Sequence, residues 1–316
     1  MRRGFAAGRL VRLRRGLYVP TRAWLGAAPH ERFRLAVEAL ALAYPETVFC
    51  GETALLLRGL PTVKAPPAID VATSTKGRLG RQPDTFAVRG TDDGAARSRL
   101  TPPPPVRRHL HRSLDAERVG GFRVISEVEA LVEVLASGKF ARALTVADGI
   151  LRRDAEASLL DHPDLLVRIA GLPHRSQQER ARLVAALARP GAESPGESVS
   201  RALMLMFGFP EPELQKRHFD GLGFIGRTDF SWAEEPRPIG EFDGWGKYLR
   251  TELMGGEDLN AIIRREKRRE NRLLALGHPV VRWDWADLER PSQLRSKLIE
   301  AGLRPTRRRL VAAKNA

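Results

Sequence analysis

Cysteine is nearly absent from this chain: Cys50 is the only one in 316 residues. A lone thiol excludes an intramolecular disulfide and a cysteine-based zinc site, and the expected compartment is a reducing cytoplasm. Long apolar runs are missing as well, so no membrane-spanning segment and no membrane partner are expected. Behind Met1-Arg2-Arg3, residues Gly8, Arg9 and Arg12 to Arg15 break the apolar stretch that a signal peptide requires. No Ser-His-Asp arrangement, phosphate-binding loop or dinucleotide-binding glycine pattern stands out. His109 and His111 share a strand face without an evident third ligand, and read as surface or cleft residues.

Acid is in short supply too. Asp and Glu number 38 against 53 Lys and Arg, a formal charge of +15. Such an excess favours a polyanionic partner through phosphate contact and counterion release; a genome that prefers Arg codons would produce it equally. The hydrophobic fraction of 42% is that of an ordinary globular protein, and the length allows two or three domains with sizeable cores.

Along the chain, residues 9–20 read as two short strands around a basic turn, with Leu10, Leu13, Leu17 and Val19 on the buried side. Apolar spacing predicts helices over 30–43 and 52–57, strands over 67–73 and 121–125, and helices over 126–137, 139–153 and 176–189. Residues 74–105 are rich in Gly, Arg and Pro and read as loop or exposed hairpin. The clearest linker is Arg189-Pro190-Gly191-Ala192-Glu193-Ser194-Pro195-Gly196. Beyond it the pattern is helix (196–207), strands (213–219, 224–232, 237–243), helix (257–276), strand (279–285) and helix (291–301).

Two of these strands carry the chemistry. They are Arg227-Thr228-Asp229-Phe230-Ser231-Trp232 and Ile239-Gly240-Glu241-Phe242-Asp243-Gly244, with Lys247 following. Alternation turns Asp229 away from Thr228, Phe230 and Trp232, and sets Glu241 and Asp243 on a common face. Paired as a hairpin, the strands would gather three carboxylates on one patch. Such a patch is repulsive unless a cation lies among them. A solvated hairpin with exposed acids is the plain alternative.

Together with Glu197 at a helix start, Arg269-Glu270 in the next helix and Val281-Arg282-Trp283 in the last strand, these strands resemble the PD-(D/E)XK restriction-endonuclease-like superfamily. The nearest branch is the one allied to very-short-patch-repair endonucleases, and the resemblance covers roughly 193–302. It implies an αβββαβ core, a Mg²⁺ (or Mn²⁺) cofactor held by Asp229 and Glu241, and cleavage of DNA. The superfamily usually places a lysine two residues after the second acid; here that residue is Asp243, and Lys247 is the substitute. Glu197 also fits a capping box with Ser194, and Gln215 in the first core strand serves equally as a structural hydrogen-bonding residue. Arg201, one turn beyond Glu197, would bind phosphate or pair with Glu197. The run Arg264 to Arg272 reads either as a solvated helix face or, through Arg265, Arg268 and Arg269, as a grip on the DNA backbone.

The front of the chain resembles the AbiEi-type antitoxin family over roughly 1–150. The likeness rests on Gly8-Arg9-Leu10-Val11-Arg12-Leu13-Arg14-Arg15-Gly16-Leu17-Tyr18-Val19, similar to that family's wing, and on Gly51-Glu52-Thr53-Ala54-Leu55 and Gly59-Leu60-Pro61. It implies phosphate and minor-groove contacts through Arg9, Arg12, Arg14 and Arg15; a plain basic hairpin is the alternative. Family members carry helices before the wing, whereas this chain opens almost at it. That implies either a start site assigned too late or a copy without major-groove reading.

The expectation is therefore an α/β protein with a winged-helix-like module (1–150), a helical connector (151–192), a nuclease-like domain (193–302) and a basic tail (303–316). Asp229, Glu241 and Asp243 form the metal cluster, and Lys247 and Glu197 assist catalysis. The competing expectation is a non-catalytic DNA-binding regulator on an inert nuclease fold, and cleavage of RNA in place of DNA is a third reading.

Overall fold

The computed structural model describes residues 2–81, 101–154, 159–244 and 259–306. The chain is a mixed α/β protein that divides into two compact units, Met1–Val134 and Leu135–Ala316. The linker expected at 189–196 falls inside the second unit. Among the described residues, no helix is long and apolar enough to cross a membrane.

In the first unit, β1 (Leu10–Arg14) and β2 (Leu17–Pro20) form the expected antiparallel hairpin. Its buried side differs from expectation: Val11 and Leu13, not Leu10, pack with Trp24 and Ala39. Leu10 and Val11 lie on opposite faces of a strand, and Leu13 shares the face of Val11. Helix α1 (Thr21–Gly26) supplies Trp24, and α2 (Pro29–Ala43) supplies Ala39. Helix α2 starts with Pro29 in its first turn, and the Glu31 carboxylate accepts the Ala28 N–H at 2.6 Å.

A mixed six-stranded sheet completes this unit, in the order β5 (Gly80–Arg81), β6 (Val106–Leu110), β4 (Ile69–Thr73), β3 (Val48–Phe49), β8 (Phe122–Val124), β7 (Glu117–Val119). Strand β4 runs parallel to β6, and β3 parallel to β8. Helix α3 (Gly51–Leu57) leaves the end of β3, and α4 (Glu127–Ser137) follows β8.

The second unit opens with helices α5 (Phe140–Arg153), α6 (Pro163–Ala170) and α7 (Arg175–Leu187). Next come α8 (Pro195–Phe207), β9 (Glu213–Asp220), β10 (Gly223–Ser231), β11 (Ile239–Phe242), α9 (Leu259–Ala275), β12 (Val280–Trp283), α10 (Trp285–Glu289) and α11 (Pro291–Glu300). The sheet order is β12-β11-β10-β9. Strands β9, β10 and β11 are antiparallel neighbours, whereas β11 and β12 are parallel. A parallel neighbour cannot be reached by a tight turn, and α9 supplies the crossover.

Helix α8 lies close on this sheet. Gly196 is needed there, because a Cβ at that position would overlap the Phe242 ring. The Trp283 indole N–H donates to Ser200 Oγ at 2.7 Å, tying β12 to the middle of α8. Helix α5 is joined to α8 by a buried ion pair, Arg201 Nη2 to Asp148 Oδ1 at 2.6 Å.

Candidate active site

The β10–β11 ladder is short. Its pairs are Ser231 with Ile239 and Phe230 with Gly240, and one step further lie Asp229 and Glu241. There the strands part: Asp229 Oδ2 accepts the Phe242 N–H at 2.9 Å, and Glu241 and Phe242 pair instead with Arg282 and Trp283 of β12. The expected alternation holds. Thr228, Phe230 and Trp232 are buried, and Asp229 takes the other face. Glu241 is buried and Asp243 half-buried.

Of the two roles weighed for Glu197, the structure shows the helix cap. Ser194 Oγ accepts the Glu197 N–H at 3.2 Å and donates to Glu197 Oε1 at 2.7 Å, while Glu197 Oε2 accepts the Glu193 N–H at 2.8 Å. This is a helix cap. The same Oε2 accepts from Gln215 Nε2 at 2.9 Å. Gln215 holds this position with a left-handed backbone, φ 55°, which is costly for a residue with a Cβ. Burial raises the pKa of Glu197, and the charge of Asp229 raises it further. The helix thus brings Glu197 within electrostatic range of Asp229, and like-charge repulsion remains between them.

Two arginines that the sequence reading named in its motif, but did not pair with the carboxylates, bind Glu241. Arg269 of α9 binds Glu241, with Nη1 donating to Oε1 at 2.8 Å and Nη2 to the same oxygen. Arg282 of β12 lies 2.9 Å from Glu241 Oε2, 3.6 Å from Asp243 and 2.8 Å from Glu266. Burial alone would lower the pKa of Arg282, but Glu241, Glu266 and Asp243 outweigh it and the net shift is upward. The repulsion expected between Glu241 and Asp243 is therefore met by guanidinium groups. The one available signal was the Glu241–Arg282 register, which needs the parallel β11–β12 pairing to be known.

A hard cation prefers carboxylate oxygens, and Glu197, Asp229 and Glu241 supply that donor chemistry. The residual repulsion between Glu197 and Asp229 is the feature that a cation would relieve. In this arrangement Glu241 is turned onto Arg269 and Arg282, so a metal would have to share it with them. Among the described residues, the group of three whose ligand atoms all lie within 4.8 Å of one another is elsewhere: Cys50, His111 and Glu133. This corrects two expectations. His111 is buried and has partners within reach, and the single cysteine is part of a possible metal set after all. His109 points to Asp70, 2.8 Å from its Oδ1.

The expected DNA-contacting arginines divide into two classes. Arg201 is fully buried against Asp148 and also donates to the Leu187 carbonyl at 2.7 Å, so a phosphate cannot reach it. Arg269 is committed to Glu241, and Arg14 is buried. For Arg201 the physical reason is that a fully buried guanidinium must take carboxylate and carbonyl partners in place of water. Arg12 is half-buried and lies over the Phe5 ring, 5.5 Å from its centroid. Arg9, Arg15, Arg265 and Arg268 are exposed, as are Arg264 and Lys267. Lys247 lies outside the described residues. No protein-family model, no curated protein and no solved structure matches the chain.

Proposed function

We propose that the second unit is a Mg²⁺- or Mn²⁺-dependent endonuclease of the PD-(D/E)XK type that hydrolyses phosphodiesters in DNA. The observation that carries this reading is that Asp229 and Glu241 face each other one step beyond the last β10–β11 pair, with Glu197 near enough for the charge of Asp229 to act on it. The order of elements supports it: a helix, a three-stranded antiparallel meander, a crossover helix and a parallel fourth strand.

Asp229, Glu241 and Glu197 are the residues that would hold the cation. When bound, a divalent cation polarises a phosphoryl oxygen and lowers the pKa of a water. Gln215 orients Glu197 through its amide N–H. Arg269 and Arg282 are placed to neutralise charge that develops on a phosphate beside Glu241, with Asp243 steadying Arg282. Lys247 is assigned to orient the attacking water. The exposed cations of α9, with Arg265 and Arg268 among them, would grip the DNA backbone without reading its sequence. The basic β1–β2 hairpin, with Arg9 and Arg15 exposed, is proposed as an AbiEi-like wing that adds further phosphate contacts.

One observation favours a second reading, a DNA-binding regulator with an inert nuclease fold. Asp243 stands where the superfamily has lysine, and Arg269 and Arg282 already satisfy Glu241. Cleavage of supercoiled plasmid separates the two. Nicking or linearisation with Mg²⁺ or Mn²⁺, lost in both Asp229→Ala and Glu241→Ala, is the result expected of the enzyme. Retardation of DNA without cleavage by the wild-type chain, and without thermal stabilisation by either metal, would establish the regulator instead.

A further inference from the structure

The first unit holds a second cluster that the nuclease reading does not use. Cys50 lies between the short strand β3 and α3, and its N–H donates to the Asp70 carbonyl at 3.1 Å. His111 follows β6, and its N–H donates to the Thr73 carbonyl at 2.9 Å. Glu133 and Glu129 lie one turn apart on α4. Three separate elements thus aim a thiol, an imidazole and a carboxylate at one point, with their ligand atoms all within 4.8 Å of one another.

The imidazole is held at both ends. His111 Nε2 lies 2.6 Å from Glu133 Oε1, and Nδ1 lies 3.3 Å from Glu129 Oε1. A carboxylate on one ring nitrogen fixes the tautomer and leaves the other nitrogen to a metal. Cys50 and His111 are both buried. Gly51 lets the backbone pass close to the acids: a Cβ there would lie 3.3 Å from Asp70 Oδ2 and 3.4 Å from Glu133 Oε2. Asp70 is itself taken up by Arg107 Nε at 2.7 Å and by His109.

We propose that Cys50, His111 and Glu133 bind a zinc-class divalent cation, with Glu129 as the partner that orients His111. The donor set selects the metal. Thiolate and imidazole suit Zn²⁺ or Co²⁺ and are poor ligands for Mg²⁺. A tetrahedral centre with bonds of about 2.0 Å to nitrogen and about 2.3 Å to sulfur brings its ligand atoms roughly 3.3–3.7 Å apart, so closure needs side-chain movements on the order of 1 Å. Three protein ligands leave a fourth position for water or another small ligand. Binding displaces the Cys50 thiol proton to solvent, and His111 binds through Nε2 as the neutral imidazole.

The test is titration of the chelator-treated full-length protein with Co²⁺ and Zn²⁺. The expected result is thiolate-to-cobalt charge-transfer absorption that saturates at one equivalent of Co²⁺ for the Cys50 site, whatever further Co²⁺ the carboxylates of the second unit take up, and that is displaced by Zn²⁺. Cys50→Ala should abolish that absorption, Glu133→Gln should weaken binding by at least about 10-fold, and Glu129→Gln by about 10–100-fold. Asp229→Ala should leave it unchanged, which keeps the outcome independent of nuclease activity. Far-ultraviolet circular dichroism identifies a variant that fails to fold; the partly exposed Glu129 and Glu133 positions then carry the comparison. Absence of the absorption from the wild-type protein, or binding indifferent to both Cys50→Ala and Glu133→Gln, overturns the proposal.

Discussion

Replacing Arg201 by alanine should unfold the second unit long before it affects DNA binding. The guanidinium is fully buried, donates to Asp148 Oδ1 at 2.6 Å and to the Leu187 carbonyl at 2.7 Å, and lies 3.7 Å from Glu211. Asp148 is equally buried, and the same Oδ1 accepts the Arg189 N–H at 2.8 Å. Burial raises the pKa of Asp148 and lowers that of Arg201, each against the charged form and in spite of the other partner. Desolvation therefore cancels much of the attraction in the intact pair. Removing one partner leaves that cost uncompensated, about 3–5 kcal/mol. At about 2–4 °C per kcal/mol for a domain of this size, Arg201→Ala should lower Tm by roughly 6–20 °C. The double variant Asp148→Leu/Arg201→Met should lie closer to wild type than either single variant. It still forfeits the bonds to the Arg189 N–H and the Leu187 carbonyl, at about 1–3 kcal/mol each. Thermal and urea unfolding of the full-length chain, followed by tryptophan fluorescence, measures this. If Arg201→Ala melts within about 1 °C of wild type and instead reduces the salt dependence of DNA binding by about one ion, Arg201 is a phosphate contact and the reasoning fails.

Gly196→Ala should destabilise the second unit by about 1–3 kcal/mol, because the new methyl group overlaps the buried Phe242 ring and forces helix α8 off the sheet; an unchanged urea midpoint would show that the ring has room to move. Acid sensitivity should come in part from His218. Burial, then the positive charges of His278 and Lys216, lower its pKa to about 4, and its Nε2 lies within hydrogen-bonding distance of the Thr228 and Ser231 hydroxyls. The unfolded chain takes up this proton near pH 6.5, before the folded chain does. The contribution is therefore fully present above about pH 6.5 and lost as pH falls from there towards 4. The shift from 6.5 to about 4 corresponds to at most about 3 kcal/mol. His218→Gln should flatten the dependence of Tm on pH across this window; an unaltered slope would locate the acid sensitivity elsewhere.

What the sequence determined by itself was local. Period-2 alternation in 227–232 and 239–243 turned Asp229, Glu241 and Asp243 off the apolar face, because backbone pleating alone decides that. The Ser194-to-Glu197 cap was legible for the same reason, since its partners lie within one turn. The order of elements from α8 to β12, and α11 after it, also followed from hydrophobic spacing, whereas the short helix α10 (Trp285–Glu289) did not.

Partners distant along the chain were decided only by tertiary structure. Asp148 meets Arg201 across 53 positions and Glu241 meets Arg269 across 28. Cys50, His111 and Glu133 come from a strand end, a second strand end and a helix. Composition shows that such charges and ligands exist, and local pattern shows which way each one faces. The carboxylate, guanidinium or thiol opposite it is set by which strands pair, in which register, and by how closely a helix can approach, as Gly196 permits α8 to do. Those choices depend on core packing between elements remote in sequence, and no window of neighbouring residues contains them.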